Sequence, residues 1–174
     1  MPDAILEPKS ACMDDFLSVE NLELADAAVT EIFKMMLGFD VVVELPNPSL
    51  SSPEPDERTA IVGFSGCMRG SCQVCIDTPA AQSIASAMLG GAPIDEQDDS
   101  LNDAVGELCN MLAGGWKNSV PGLASQCALS PPTVISGRDY KVHMTKPSVK
   151  LSRAYRFGDH KFYLTLSREE IGTP

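Results

Sequence analysis

The sequence predicts an α+β sandwich, within the broad α/β class, in which long helices pack on a mostly antiparallel β-sheet. Two observations lead to this prediction. Apolar residues recur at helical spacing in three stretches, and runs rich in β-branched residues lie between and after them. The strand runs are paired by tight turns, which is typical of antiparallel neighbours. Helices that follow such strands pack on one or both faces of the sheet.

The first half of the chain predicts one helix and three strands. Apolar residues keep helical spacing from Leu22 to Met36, and Gly38 supplies a left-handed stop. A β-branched strand over 39–45 ends at a proline, and residues 46–57 form a loop by composition. Strands over 59–66 and 70–77 form a hairpin with a tight turn at residues 68–70.

The second half begins with a helix that we expect Thr78 to cap, with Pro79 in its first turn and a stop at Gly90 and Gly91. An acidic connector over 93–99 leads into a long helix, Ser100–Ser119. Short extended pieces over 126–130 and 133–137 follow. Strands over 148–157 and 160–169 close the fold as a hairpin around the turn dipeptide at 158–159.

Length and charge narrow the protein's class. The 174 residues suffice for one core without metal or disulfide cross-links. We expect residues 1–17, rich in acids, prolines and small residues, to be flexible, and residues 18–174 to form a single domain. The formal net charge of −11 argues against nucleic acid or an anionic membrane as partner. Neither a secretion signal nor an apolar run of bilayer length is present, so we expect a cytoplasmic protein.

Six cysteines raise the question of a metal site. In the cytoplasm all six are expected to be reduced thiols: Cys12, Cys67, Cys72, Cys75, Cys109 and Cys127. Three of them cluster at 67–75, but no second cysteine pair lies at zinc-ribbon distance. The only histidines, His143 and His160, are far along the chain. We therefore predict no metal site, and small strand residues as the role of these cysteines.

The long helix has two ordered faces. Its apolar stripe, at steps of three and four residues, comprises Leu101, Val105, Leu108, Leu112 and Trp116. A second stripe opposite comprises Asp103, Glu107, Asn110 and Gly114. A solvated face is the ordinary explanation, and it accounts for Asp103, which falls three residues after Ser100 as in a capping box.

The ordinary explanation fails for the rest of the second stripe. Asn and Gly inside a helix cost about 0.5–1 kcal/mol each relative to Ala. Glu107 and Asn110 place an anion and an amide one turn apart, and Gly114 leaves room for a second backbone. The stripe therefore predicts a docking face from which the polar side chains of Glu107 and Asn110 project toward a partner.

These residues resemble the chemotaxis phosphatases of the CheC, CheX and FliY class. The family signature is Asp or Ser, Glu four residues later, Asn three further, and a proline about twenty residues downstream. Asp103, Glu107, Asn110 and Pro132 match it, and the resemblance extends over residues 22–167, including the hairpin at 61–77. With one signature helix in a single domain, the chain resembles the CheX branch most.

The resemblance implies a phosphatase for the aspartyl phosphate of a CheY-like response regulator. Asn110 would orient the attacking water, Glu107 would pair with the receiver's active-site lysine, and Asp103, Gly114 and Pro132 would contribute to binding. The enzyme would need no cofactor of its own, because Mg²⁺ would belong to the receiver. The resemblance also implies a homodimer whose subunits pair through sheet edges. The closing hairpin supplies strands for this pairing.

Two departures from the family pattern stand out. Twenty-one residues separate Asn110 from Pro132, about one fewer than the family spacing. In CheC the first helix carries a second signature, whose positions here are Ala27, Glu31 and Lys34, with lysine in place of asparagine. We expect one site per chain. The alternative is a non-catalytic CheX-like module that binds a receiver or a flagellar switch protein.

Overall fold

The computed structural model describes residues 18–44, 58–137, 140–142 and 147–169. Residues 1–17 lie outside this range, so the predicted flexible segment stays a prediction. The elements, in chain order, are α1 (Val19–Ile32) with a π-helical turn (Phe33–Leu37), β1 (Val41–Glu44), β2 (Arg58–Gly66), β3 (Gly70–Ile76), α2 (Thr78–Met88), α3 (Ser100–Ser119), β4 (Cys127–Leu129), β5 (Thr133–Ser136), β6 (Pro147–Phe157) and β7 (His160–Glu169).

The seven strands form one sheet in the order β1-β6-β7-β3-β2-β4, and β5 pairs with the same edge of β2 as β4 does. Every pairing is antiparallel, so the predicted α+β class is confirmed. The closing hairpin lies inside the sheet, because β7 pairs with both β6 and β3. In the described part of the chain, the outer edges of β1 and of β4 and β5 are open, and residues 147–153 of β6, which extend past β1, add a further unpaired stretch.

The hydrophobic core lies between one face of this sheet and the three helices. Alternate residues of β2, Ala60, Val62 and Phe64, are buried against α3. On the β7 side, Phe33 of the π-helical turn stacks on Phe162 with ring centroids 4.9 Å apart. Among the described residues, no helix is both long and apolar enough to cross a bilayer.

The capping residues of α2 and α3 differ from the sequence prediction, although α3 has the predicted bounds, Ser100–Ser119. The N-cap of α2 is Asp77, whose carboxylate accepts from the Ala80 N–H at 2.8 Å. Thr78 instead accepts a hydrogen bond from the Arg58 guanidinium. Ser100 is the first residue of α3 and not its cap, and its N–H donates to the Asp98 carboxylate at 2.8 Å. That bond lowers the pKa of Asp98. At α2, Asp77 takes the cap position because aspartate is a better cap than threonine. At α3 the cap position is Asp99, which makes no side-chain capping bond.

Candidate active site on helix α3

Helix α3 presents the two faces that its sequence predicts. The apolar stripe is buried to 1% exposure or less at Leu101, Val105, Leu108, Leu112 and Trp116. On the other side, Asp103 and Glu107 are exposed, and Asn110 and Gly114 are half-buried. The helix is therefore seated by one face, and its polar stripe opens to the surroundings.

The polar groups of this stripe are not used within the fold. Among the described residues, no hydrogen bond or ion pair involves the side chains of Asp103, Glu107 or Asn110. Asn110 has two amide donors and a carbonyl acceptor, and Glu107 has a carboxylate, all open to a partner. The stripe can therefore bind a polar group without first breaking a contact inside this chain.

Two adjacent glycines of α3 have different surroundings. A Cβ on Gly115 would lie 3.1 Å from Ile32 Cδ1 and 3.3 Å from Ala28 Cβ, so close packing against α1 accounts for this glycine. A Cβ on Gly114 would meet only Leu129 Cδ1, at an ordinary 3.9 Å. The chain itself does not crowd Gly114, and its predicted role as an approach point for a partner stays a prediction.

The segment from β4 to β5 runs along one flank of the polar stripe. Lys117 Nζ donates to the carbonyls of Ala124, at 2.8 Å, and Cys127, at 3.2 Å, near the C-terminal end of α3. Toward the N-terminal end, Pro132 lies beside Gly106, where an added Cβ would be 3.5 Å from two atoms of the proline ring. The structure thus brings Pro132 to the helix turn that separates Asp103 from Asn110, despite the shortened spacing.

Arg58 anchors the N-terminal end of α3, a role that the sequence did not reveal. Its guanidinium is buried, with 8% of the residue exposed. Nε donates to Asn102 Oδ1 at 3.3 Å and Nη2 to the Glu96 carbonyl at 3.1 Å, while Nη1 donates to Thr78 Oγ1. Arg58 therefore fixes the first turn of α3 relative to β2, α2 and the acidic connector. An arginine at the first position of a strand gives no local signal of such a role.

The thiols behind α3 are structural. Cys109 is buried and donates to the carbonyls of Cys72, at 3.5 Å, and Ala60, at 3.6 Å. A hydrogen bond with Cys109 and burial together raise the pKa of Cys72 well above its usual range. A protonated, buried thiol is a poor nucleophile and a poor metal ligand.

The described part of the chain contains no cluster of three or more His, Cys, Asp or Glu residues placed to hold a metal ion. His160 lies within hydrogen-bond distance of Ser83 Oγ, at 2.9 Å from its Nε2. Cys12 and His143 fall outside the described residues. The roles predicted for Glu107, Asn110, Asp103, Gly114 and Pro132 stay predictions.

The sequence of this chain is similar to those of known proteins. The family model of the chemotaxis phosphatase CheX matches residues 58–152. The CheY-P phosphatase CheX of Thermotoga maritima is 30% identical over 145 residues, which are 83% of this chain and 93% of that protein.

Solved structures share the fold. The chemotaxis protein CheX of Desulfovibrio desulfuricans, 25% identical, superposes with a TM-score of 0.72 over 87% of this chain and all of that one. A crystal structure of the CheX–CheY–BeF3–Mg²⁺ complex of Borrelia burgdorferi gives a TM-score of 0.70 at 21% identity, over 86% of this chain and 98% of its counterpart. On this evidence the chain belongs to the CheX family of chemotaxis phosphatases.

Proposed function

We propose that this chain hydrolyses the aspartyl phosphate of a CheY-like response regulator, with Asn110 orienting the attacking water. The observation that carries the proposal is the Glu107 and Asn110 pair, which is open to a partner on a helix otherwise locked into the core. The relative from Thermotoga maritima is named a CheY-P phosphatase, and CheX and CheY form a complex in the Borrelia burgdorferi structure. Both support a receiver as the partner.

The chemistry suits a carboxamide better than a nucleophile. Hydrolysis of an aspartyl phosphate requires a water in line with the leaving carboxylate and stabilisation of spreading negative charge. The Asn110 amide can accept a hydrogen bond from the water through its carbonyl and donate one to a phosphoryl oxygen. Holding the water in line is a positioning effect, which alone accelerates reactions by large factors.

Glu107 acts in docking. One helical turn from Asn110, its carboxylate would pair with the receiver's active-site lysine and place the amide over the phosphoryl group. A charge pair of this kind contributes to affinity and fixes the register of the complex. Asp103 extends the same negative edge, and Gly114 leaves space for the receiver's backbone.

The receiver would supply the metal. Mg²⁺ prefers carboxylate and phosphate oxygens, and a phosphorylated receiver carries both. We expect activity to require Mg²⁺ and to survive removal of any metal from the phosphatase alone. A cytoplasmic location follows from the same proposal, since receivers act in that compartment.

A homodimer is part of the proposal. Residues 147–153 of β6 leave backbone donors and acceptors unpaired within the described chain, and Val149 on this edge is 41% exposed. An open edge of this length can pair with a second copy of itself around a two-fold axis. Light scattering at micromolar concentration should give twice the 18.6 kDa chain mass, and the monomer mass would contradict it.

The direct test is phosphate release from a panel of phosphorylated receivers from the same host, with and without this protein. We expect at least one receiver to lose its phosphate faster when the protein is added. Binding without faster release from any receiver would favour the non-catalytic module, and neither binding nor release would refute both.

A further inference from the structure

The strands β4 and β5 are two parts of one strand interrupted by a β-bulge. Leu129 of β4 pairs with Phe64, and Thr133 of β5 pairs with Ile61. Between these pairs, residues 130–132 of the bulged strand face only residues 62–63 of β2. Ser130 holds the start of the bulge, because its N–H donates to the Gly63 carbonyl and its hydroxyl accepts from the Gly63 N–H, both at 2.9 Å.

The two prolines explain the bulge and its direction. Neither Pro131 nor Pro132 has an N–H to donate to β2, so the ladder breaks there. The side chains after the break meet α3. A Cβ built on Gly106 would be 3.2 Å from Val134 Cγ2 and 3.5 Å from Cβ and Cγ of Pro132. A Cβ at 3.2 Å would force its neighbours apart by a few tenths of an ångström.

Gly106 lies in the helix between the signature positions. It is one turn before Asn110 and directly precedes Glu107, and it is fully inside the contact between α3 and the bulged strand. Its missing side chain lets Pro132 and Val134 rest against the helix backbone. The contact with the bulged strand therefore sets the rotation of α3 about its axis at Asn110, and the distance of the helix from the sheet there.

We propose that Gly106 is a positioning residue for the phosphatase reaction, which holds the Asn110 amide in place through its contact with Pro132 and Val134. This inference rests on the proposed function of Asn110. A misplacement of about 1 Å at a reacting group can lower a rate about 100-fold. The Glu107 carboxylate, on a longer side chain, tolerates the same displacement.

The test compares Gly106→Ala with Gly115→Ala in the full chain, measuring kcat and KM for a phosphorylated receiver together with the thermal midpoint. Both substitutions add one methyl group to the same helix at a crowded site, but Gly115 faces α1. We expect Gly106→Ala to lower kcat by up to about 10-fold with little change in KM, because the added Cβ displaces its neighbours by a few tenths of an ångström. Gly115→Ala should leave kcat unchanged, and the thermal midpoint shows how the added methyl group alters stability at that site.

Compensation provides the second measurement. Val134→Ala removes the atom closest to the added methyl group, so Gly106→Ala with Val134→Ala should recover most of kcat. Equal kcat for wild type and Gly106→Ala, or recovery of the thermal midpoint without recovery of kcat, would overturn the inference.

If Gly106→Ala does not fold, substitution of the two adjacent prolines tests the same inference. Pro132→Ala removes the ring that contacts Gly106 and should lower kcat, whereas Pro131→Ala should not. Equal kcat for the two proline variants would overturn the inference. If wild type itself releases no phosphate from any receiver, the proposed function has failed, and that result is separate from the comparison among variants.

Discussion

Helices α1 and α3 lie on the same face of the sheet and contact each other, but the proposed site is on α3. Their corresponding positions have the same helical spacing. On α3 the acid and the amide, Glu107 and Asn110, have no partner among the described residues. On α1 the position of the amide is Lys34, which forms an ion pair with Asp40 at 2.5 Å. The sequence spacing is thus shared. The difference is that Asn110 is a half-buried free amide on a regular α-helix, whereas Lys34 is exposed and paired in a π-helical turn.

The helices also differ in where their polar groups are used. Asp26 of α1 accepts from Tyr155 Oη at 2.7 Å and pairs with Arg153 at 3.5 Å, so α1 uses an acid to bind β6. Burial first, and the hydrogen bond with Asp26 second, raise the pKa of Tyr155 well above its usual range. In α3 the corresponding anchors come from outside the polar stripe, through Arg58 and the apolar face. This leaves the stripe free for the receiver that we propose as the partner.

Asn110→Ala should have the largest effect. Removing a group that acts only in the transition state lowers kcat about 100-fold or more. Binding to the phosphorylated receiver should persist, and the free energy of unfolding should stay level or rise by about 0.5 kcal/mol, because Ala is the better helix former. Phosphate release, receiver binding and urea unfolding are the measurements.

The matched control is Asn118→Ala, the same change at an exposed position of α3, which should keep full activity. Loss of folding in Asn110→Ala would make Asn110 structural. Full activity in that variant would replace the enzyme with the binding module.

Glu107→Ala should weaken docking. Loss of one partner of an interfacial charge pair should raise KM about 10- to 30-fold, or about 1.4–2 kcal/mol, with a smaller change in kcat. Added salt should reduce the difference from wild type, because it screens the pair in the wild type alone. Glu31→Ala, the same change on α1, serves as control and should behave as wild type. A similar KM for both variants would remove Glu107 from the interface.

Tyr155→Phe should change stability and its pH dependence. The lost hydrogen bond to Asp26 costs about 2 kcal/mol at pH 8. Since the folded state raises the pKa of Tyr155 above an unfolded value of about 10, wild-type stability falls as pH rises above about 10. The variant should lack this part of the decline. Urea unfolding between pH 8 and 11 measures it, with Tyr163→Phe on β7 as control; parallel curves for Tyr155→Phe and wild type would contradict it.

Lys34→Asn should have the smallest effect. The Lys34 and Asp40 pair is exposed, at 59% and 86% of the two side chains, so its loss should change the free energy of unfolding by less than about 1 kcal/mol. Combined with Asn110→Ala, it should not restore phosphate release, because Lys34 lies in a π-helical turn and Asn110 in a regular α-helix. Restored release would mean that α1 needs only the amide to become a second site.

Local pattern predicted most of the elements. The two faces of α3 followed from residues spaced by three and four, and the hairpin of β2 and β3 from alternation around a turn. Pattern could not give the order of strands, because pairing of β7 with β3 joins residues about 90 positions apart. For the same reason it missed that the closing hairpin lies inside the sheet.

At the candidate site, the sequence predicted the polar stripe of α3 but not the residues that hold this helix in position. Glu107 and Asn110 stand out because their residue types are poor choices for a plain helix surface. Arg58 and Gly106 do not stand out, since their roles depend on contacts with Asn102 and Val134 that only the fold creates. The predicted helix caps were wrong for a simpler reason, because the residue directly before each predicted cap, Asp77 or Asp99, takes the cap position.

The interior position of β7 has a consequence for synthesis on the ribosome. Until residues 160–169 have been translated, β3 has a partner on only one side, and its other edge is exposed to neighbouring chains. Contacts this far apart in sequence form slowly, and an unpaired strand edge can aggregate during the delay. A nascent chain stalled before β7 should therefore bind chaperones that the completed sheet does not.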